Sequence, residues 1–299
     1  MRDLLSFAWL FSAATALRVP SPRMQLPSFP GLSTGGKKKL LVIGGNGFVG
    51  RQVCKYAVRS GEFDVTSLSR RGECPKPDDP ELSQVSWCAG NALDQATVSK
   101  YVNDADAVCH AIGLLFDVNS GLTFLNTFTS ASFSKPDEES TYDNITRRTA
   151  LLAIEALKSK NALPAMVGQR APFAFVSCAE SGWPDVAFGD KVEAASPDWL
   201  KRYLAAKRAV EAELSSSEGV LRPVIVRPSL IWDWKKFDVL PVIPVFNIAS
   251  AIGIPFVDKT VRVEDVGRSI VAGLLDEGVS GVQRFDKMES LSEGLAVER

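Results

Sequence analysis

Histidine is almost missing from this chain: His110 is the only one, and the five cysteines (Cys54, Cys74, Cys88, Cys109 and Cys178) form no CxxC pair. A zinc site needs clustered His and Cys ligands, and a disulfide framework needs regular cysteine spacing, so neither is expected and the thiols should be reduced. Net charge is missing too. Lys and Arg number 34 against 35 Asp and Glu, which leaves no field to draw in nucleic acid. No internal repeat or low-complexity tract is present.

Acidic residues are missing locally, with none between Asp3 and Glu62. Within that stretch Arg2 precedes a short apolar run that ends at Ala14-Thr15-Ala16, a small-x-small cleavage pattern. The run is too short to span a bilayer, and no transmembrane helix is expected in the mature chain. Residues 17–37 are basic, Ser/Pro-rich and unpatterned. A signal-like segment (1–16) followed by a transit-like segment (17–37) predicts import into an organelle, with the plastid favoured and the mitochondrion as the alternative.

From residue 38 the pattern changes to alternating strands and helices. Leu40–Ile43, Phe63–Leu68, Val85–Cys88, Ala105–Ile112, Phe173–Ser177 and Pro223–Val226 read as strands buried on both faces. Residues 47–60, Ala96–Val102, Tyr142–Lys160 and Pro197–Ser215 read as helices, and 117–139 as loop. This order predicts an α/β fold, a Rossmann doubly wound parallel sheet over 38–229. A small C-terminal substrate-side or membrane-facing subdomain (230–299) is expected to be integrated with that core.

Gly44, Gly47 and Gly50 fall between the first strand and the first helix. In such a turn the first glycine permits the bend, the second a close approach of backbone to a pyrophosphate, and the third tight helix–strand packing. The helix N-terminus adds amide donors and a positive dipole end. After the second strand, where an NAD site places an acid for the ribose 2′-hydroxyl, stand Ser69, Arg70 and Arg71. Guanidinium groups pair with a 2′-phosphate, so NADP(H) is favoured over NAD(H).

Tyr203 and Lys207 are four residues apart on one helix, 26 residues after Ser177 at the end of the fifth strand. That spacing puts phenol and ammonium on one helix face. A free phenol has a pKa of about 10, and a neighbouring ammonium lowers it toward use as an acid–base group.

These motifs resemble the short-chain dehydrogenase/reductase superfamily over residues 38 to 290, including Asn144 on its helix, VSCAES, YLAAK and VRPSLIW. The run GGNGFVG, HAIGLLF after strand four and VRVEDVGRSIV near the C-terminus resemble its atypical group. That group contains the nucleotide-binding accessory subunit of mitochondrial complex I, coenzyme Q-associated proteins and plastoglobule-associated proteins. The resemblance implies NADP(H) binding within a quinone-related, membrane-bound assembly. By position it puts Gly44, Gly47, Phe48 and Val49 at the pyrophosphate and Arg70 at the 2′-phosphate. Asn91 takes the place of an adenine-binding acid, and Ala111, Ile112 and Gly113 line the cofactor. Tyr203 and Lys207 fall at the nicotinamide ribose, with Pro228 and Ser229 beside the nicotinamide. Active relatives carry a second serine where this chain has Cys178, after Ser177.

Residues 230–256 are strongly apolar, with Trp232, Trp234 and Phe237 beside Lys235 and Lys236. Pro241, Pro244 and Pro255 rule out one continuous membrane helix. The segment reads as a subdomain core over the cofactor cleft, or as an apolar pocket or lipid-facing patch. Three functions compete. The first is an NADP(H)-dependent reductase of a small apolar, quinone-like compound, with Tyr203 as proton donor and Ser177 or Cys178 positioning the carbonyl. The second is a non-catalytic nucleotide-binding scaffold or redox sensor of an organellar membrane complex. The third is a nucleotide-sugar epimerase or dehydratase, which the apolar 230–256 segment disfavours.

Overall fold

Six apolar or long-chain residues from Lys38 to Ile43 form the first strand, β1, and the last four of them are at most 1% exposed. Burial on both faces follows from the position of β1 in the middle of the sheet. The computed structural model describes residues 36–123, 126, 137–233 and 243–295, and the chain divides into two units, Met1–Gly36 and Lys37–Arg299. Residues 1–35 of the expected targeting segment, and with them Trp234, Lys235, Lys236, Phe237 and Pro241, lie outside the described residues.

In the second unit β1 pairs in parallel with β2 (Phe63–Ser69) on one side and with β4 (Ala107–His110) on the other. With β3 (Ser86–Ala89), β5 (Ala171–Val176), β6 (Leu221–Val226) and β9 (Gly281–Gln283) they form a seven-stranded sheet in the order β3-β2-β1-β4-β5-β6-β9. Every neighbouring pair is parallel, as the doubly wound expectation requires. Two strands, β7 (Ile231–Trp232) and β8 (Val261–Arg262), pair separately.

Helices cover both faces. Leu40 and Val42 pack toward α1 (Gly50–Arg59), α7 (Val263–Leu275) and α8 (Phe285–Gly294). Leu41 and Ile43 pack toward α2 (Gln95–Asn103), α3 (Thr149–Ala165) and α5 (Asp198–Ser216). Two further helices, α4 (Gly189–Ala195) and α6 (Ile243–Ala251), belong to the excursions after β5 and β7.

Several boundaries differ from the sequence expectation. The fourth strand is confined to Ala107–His110, and the sixth starts two residues earlier, at Leu221. Pro223 is tolerated there because β9 pairs only from Val224 onward, so β6 is still an edge at the proline. The helix expected over Tyr142–Lys160 opens with a π-helical turn, Asp143–Arg148, and continues past Lys160 to Ala165. β9 has three residues and exists through its pairing with β6, a signal too short for periodicity. The core reading of 230–256 does not hold for α6, none of whose residues is buried: Val245, Ile248 and, just after the helix, Ile252 are 64%, 62% and 72% exposed, whereas Ile231 does pack against the core. Among the described residues no helix is long and apolar enough to cross a membrane.

Arg222 closes the far end of the sheet. Its buried guanidinium donates to the carbonyls of Gly273, Leu274, Asp276 and Val279 at 2.6–2.9 Å, collecting the unpaired carbonyls after α7. Truncation by Arg222→Met leaves these acceptors unpaired, and chemical denaturation should show a loss of about 3 kcal/mol.

His110, at the end of β4, is fully buried. Thr149 uses its hydroxyl proton on the Ile145 carbonyl (2.7 Å), so it accepts from His110 Nε2 at 2.8 Å and leaves Nδ1 as an unpaired buried acceptor. Burial, and then the Lys207 ammonium, push the His110 pKa down to about 3. The folded chain thus binds no proton here while the unfolded chain does below about 6.5, so stability falls with pH between those values. By pH 5 the loss is about 2 kcal/mol. Since His110 is the single histidine, denaturation at pH 7 and pH 5 of wild type and His110→Gln isolates it; the variant should lack this increment.

Candidate active site

The strand order reverses between β1 and β4, and it is outside the C-terminal strand ends at such a switch point that a doubly wound sheet forms its ligand crevice. The turn leaving β1 borders it. Gly44 has φ +92° and donates its amide to Leu68 on β2 at 2.9 Å. Gly50 begins α1 where an added Cβ would stand 2.2 Å from the Gly44 carbonyl oxygen, so only glycine lets the helix start this close. The Gly47 amide donates to that same carbonyl at 2.9 Å, which completes the bend. No side chain caps α1, its first turn has no acid, and among the described residues no acceptor takes the amides of Val49 and Gly50. Such a bare helix N-terminus attracts an anion. Phe48 lies beside it, under the Arg51 guanidinium at 5.5 Å.

Two residues of this turn escaped the sequence reading. Gly45 packs so tightly that a Cβ would come 2.3 Å from Ser67 Oγ. Asn46 links the turn to the end of β2: its Oδ1 accepts from Ser69 Oγ at 2.6 Å, and its amide reaches the Glu73 carbonyl. Ser69 also accepts the Gly72 amide at 3.1 Å, so its hydroxyl fixes the turn from which the exposed Arg70 and Arg71 project. Arg70 pairs with Asp137 at 3.2 Å.

Asn91 is exposed and accepts the Leu93 amide at 3.0 Å, ahead of α2, which Asp94 caps. Ala111 and Ile112 continue β4 against Gly44, and Gly113 faces open space. Asn144 donates to the Glu139 carbonyl at 3.1 Å within the π-turn. Pro228 is buried and accepts the Ala179 amide at 2.8 Å, while Ser229 donates to the backbone at Asp258 and Lys259 (3.1 and 3.0 Å).

Tyr203 and Lys207 lie on α5, beside the C-terminal end of β5. The Lys207 ammonium is buried, donates to the Val176 carbonyl at 2.6 Å, and lies 5.0 Å from the Phe175 ring and 5.5 Å from the Tyr203 ring. Burial lowers its pKa to about 8, against the opposing pull of Cys178 and Glu211. Burial raises the Tyr203 phenol well above its usual value, and the neighbouring Cys178 and Glu180 add to that. Tyr142 packs edge-on against Tyr203 at 5.5 Å.

Ser177, one of two residues considered for positioning a carbonyl, is engaged elsewhere by its hydroxyl. Its hydroxyl donates to Glu211, whose carboxylate is gripped by Arg227 at 3.0 and 2.6 Å. Cys178 neighbours Tyr203, and its thiol lies 3.2 Å from Ser181 Oγ. Burial, then Glu180, push that thiol up to about 12, which keeps it protonated and a poor nucleophile. Glu211 sits four residues after Lys207, the same spacing that separates Lys207 from Tyr203, and that repeat was the signal available in the sequence.

The chain matches the sequence profile of a family described as NAD(P)H-binding over residues 44–277. It is 28% identical over 217 residues to MIOREX complex component 2 of Saccharomyces cerevisiae, covering 65% of this chain and 73% of that protein. It is 44% identical over 56 residues to an uncharacterized chloroplastic protein of Arabidopsis thaliana, covering 19% and 18%. Among solved structures it resembles 3-ketoacyl-(acyl-carrier-protein) reductase from Brucella melitensis complexed with NADH, with TM-score 0.59, 16% identity and coverage of 85% and 98%. It also resembles ElxO with NADP bound, with TM-score 0.55, 14% identity and coverage of 85% and 99%. At such identities these structures speak for the fold alone. The profile match over residues 44–277, on a chain whose glycine turn follows β1 of a doubly wound parallel sheet, places it: it belongs to the NAD(P)H-binding family.

Proposed function

We propose that this protein is an organellar NADP(H)-dependent reductase of a small apolar carbonyl or quinone-like compound. The observation that carries the reading is the Tyr203–Lys207 pair on α5, tied by the Lys207 ammonium to the last residue of β5. The turn fits a dinucleotide: it has a bare helix N-terminus, no acid in the first helical turn, and glycines where a Cβ would meet backbone. Gly44, Gly47, Phe48, Val49 and Gly50 would hold the pyrophosphate, Arg70 and Arg71 a 2′-phosphate, and Ala111, Ile112 and Gly113 the cofactor's middle. A bound nicotinamide dinucleotide supplies the hydride. Tyr203, kept protonated by its surroundings, donates the proton to the substrate oxygen. Lys207 holds ribose hydroxyls and, as a cation, offsets the charge that develops when the phenol gives up its proton. Cys178 lines the substrate position as a weak donor.

The apolar stripe of α6 supports an apolar substrate. Its following segment is tied to the crevice, since Trp183 Nε1 donates to the Phe256 carbonyl at 3.0 Å. Peripheral contact with a lipid surface agrees with the same stripe. An organellar location is supported by the leader-like N-terminus and by the chloroplastic relative. A second reading, a non-catalytic nucleotide-binding subunit or redox sensor, is favoured by Cys178 in the serine slot and by the yeast relative, which is named as a complex component.

NADPH and NADH titrations by fluorescence, followed by NADPH oxidation with a panel of quinones, separate the readings. Turnover should fall at least about 100-fold in Tyr203→Phe. Tight binding with no turnover, or turnover indifferent to Tyr203→Phe, rejects the reductase in favour of the binding subunit. Because the charged form of Lys207 is needed, the rate should be highest below pH 8 and decline as the pH rises through about 8. A flat profile from pH 6.5 to 9.5 rejects that role for Lys207. NADPH should bind more tightly than NADH, and Arg70→Ala should remove the difference.

A further inference from the structure

The guanidinium assigned to a 2′-phosphate already faces a carboxylate. Arg70 Nη1 lies 3.2 Å from Asp137 Oδ2, and the two residues are 67 positions apart. Asp137 belongs to the connection between β4 and α3, so the pair joins that connection to the end of β2 beside the nucleotide crevice.

Asp137 is not a loose surface acid. Its Oδ1 accepts Ser140 Oγ at 2.7 Å, and Ser140 Oγ accepts the Asp137 amide at 3.0 Å. Ser140 is only 2% exposed, and its carbonyl accepts the Val118 amide at 3.2 Å. The turn is fastened to the start of the π-turn as well, through Asn144 and the Glu139 carbonyl at 3.1 Å. Ser140 and Arg70 hold the carboxyl below its usual range, so it is ionised at neutral pH.

We propose that Asp137 is a specificity-determining residue of the nucleotide site: its carboxylate competes with a ribose 2′-phosphate for Arg70 and thereby sets the preference between the two dinucleotides. This rests on the assignment of Arg70 to the 2′-phosphate. A 2′-phosphate carries between one and two negative charges, and it cannot share one guanidinium with a carboxylate without repulsion. NADP(H) therefore separates Arg70 from Asp137 and releases the turn at 137–140. NAD(H) brings a neutral hydroxyl, which leaves the ion pair in place.

The test uses the full chain as wild type, Asp137→Asn, Asp137→Ala and Arg70→Ala, with matched thermal melting as the control for folding. NADPH and NADH are titrated by fluorescence, and hydrogen exchange is followed over residues 137–141. Both Asp137 variants should bind NADPH about two- to fivefold more tightly, the size expected for release from a half-exposed ion pair, with NADH affinity unchanged. In wild type, NADPH but not NADH should speed exchange over 137–141. Unchanged or weaker NADPH binding in both Asp137 variants, with the preference still lost in Arg70→Ala, overturns the role of Asp137 and leaves the Arg70 reading standing. Weaker NADH binding in the Asp137 variants also overturns it, assigning the carboxylate to the ribose hydroxyl instead. A preference that survives Arg70→Ala overturns both assignments. Absence of binding by wild type overturns the functional reading itself.

Discussion

The C-terminal edge of β5 and the helix beside it depend on a buried ammonium. Lys207 brings a positive charge into a site with almost no exposure, where an uncompensated cation would cost several kcal/mol. Three features compensate it: the Val176 carbonyl at 2.6 Å, the faces of Phe175 and Tyr203, and the nearby Glu211 carboxylate. Each of these partners is thereby fixed relative to the others. The ammonium ties α5 to the last residue of β5, and through that tie the height of Tyr203 above the sheet edge is set. Glu211, in turn, is held in place by Arg227, which grips both of its oxygens, and by Ser177, which donates to one. A chain of charges therefore runs from β6 through α5 to the phenol.

That chain explains which parts of the site could be read from the sequence. The buried run Leu40–Ile43, the glycines at 44, 47 and 50, and the four-residue spacing of Tyr203 and Lys207 are local signals. Their physics operates within a strand, a turn or a helix, so order along the chain is enough. The orientation of Ser177 is different. Whether its hydroxyl faces the crevice or α5 is decided by Glu211 and Arg227, which lie 34 and 50 positions away. Nothing in Ser177-Cys178 itself carries that choice. The Arg70–Asp137 pair is equally silent in the sequence, since it depends on how the β4–α3 connection crosses the end of the sheet. β9 shows the same limit at the level of the fold: Gly281, Val282 and Gln283 become a strand because β6 offers an edge to them.

The exposed apolar helix marks another boundary of sequence reasoning. Hydrophobicity in α6 predicts burial, because apolar side chains usually leave water on folding. Val245, Ile248 and Ile252 nevertheless remain exposed at spacings of three and four, which gathers them on one helical face. Such a patch is not explained by the sheet, whose two faces are already covered by six other helices. The helix lies close in sequence to Phe256 and Asp258, whose carbonyls are held by Trp183 and Ser229 at the crevice. The segment that follows the apolar face is thus anchored to the connections after β5 and β6.

The proton inventory of the crevice also gives the site a direction. Tyr203 is held protonated by burial, by Cys178 and by Glu180, whereas Lys207 stays mostly charged below pH 8. A neutral phenol beside an ammonium is arranged to give a proton, which suits reduction of a carbonyl. Oxidation would need the phenolate, and both Cys178 and Glu180 oppose its formation. The thiol adds a second asymmetry. A serine hydroxyl at Cys178 would donate a strong hydrogen bond to the substrate oxygen, but a thiol donates weakly, and its pKa of about 12 keeps it from acting as an acid. In the proposed reduction, the polarisation of the carbonyl would therefore fall to Tyr203 alone. A substrate that is already electron-poor, as a quinone is, asks least of that missing donor, and this is the chemical reason to test quinones before simple ketones.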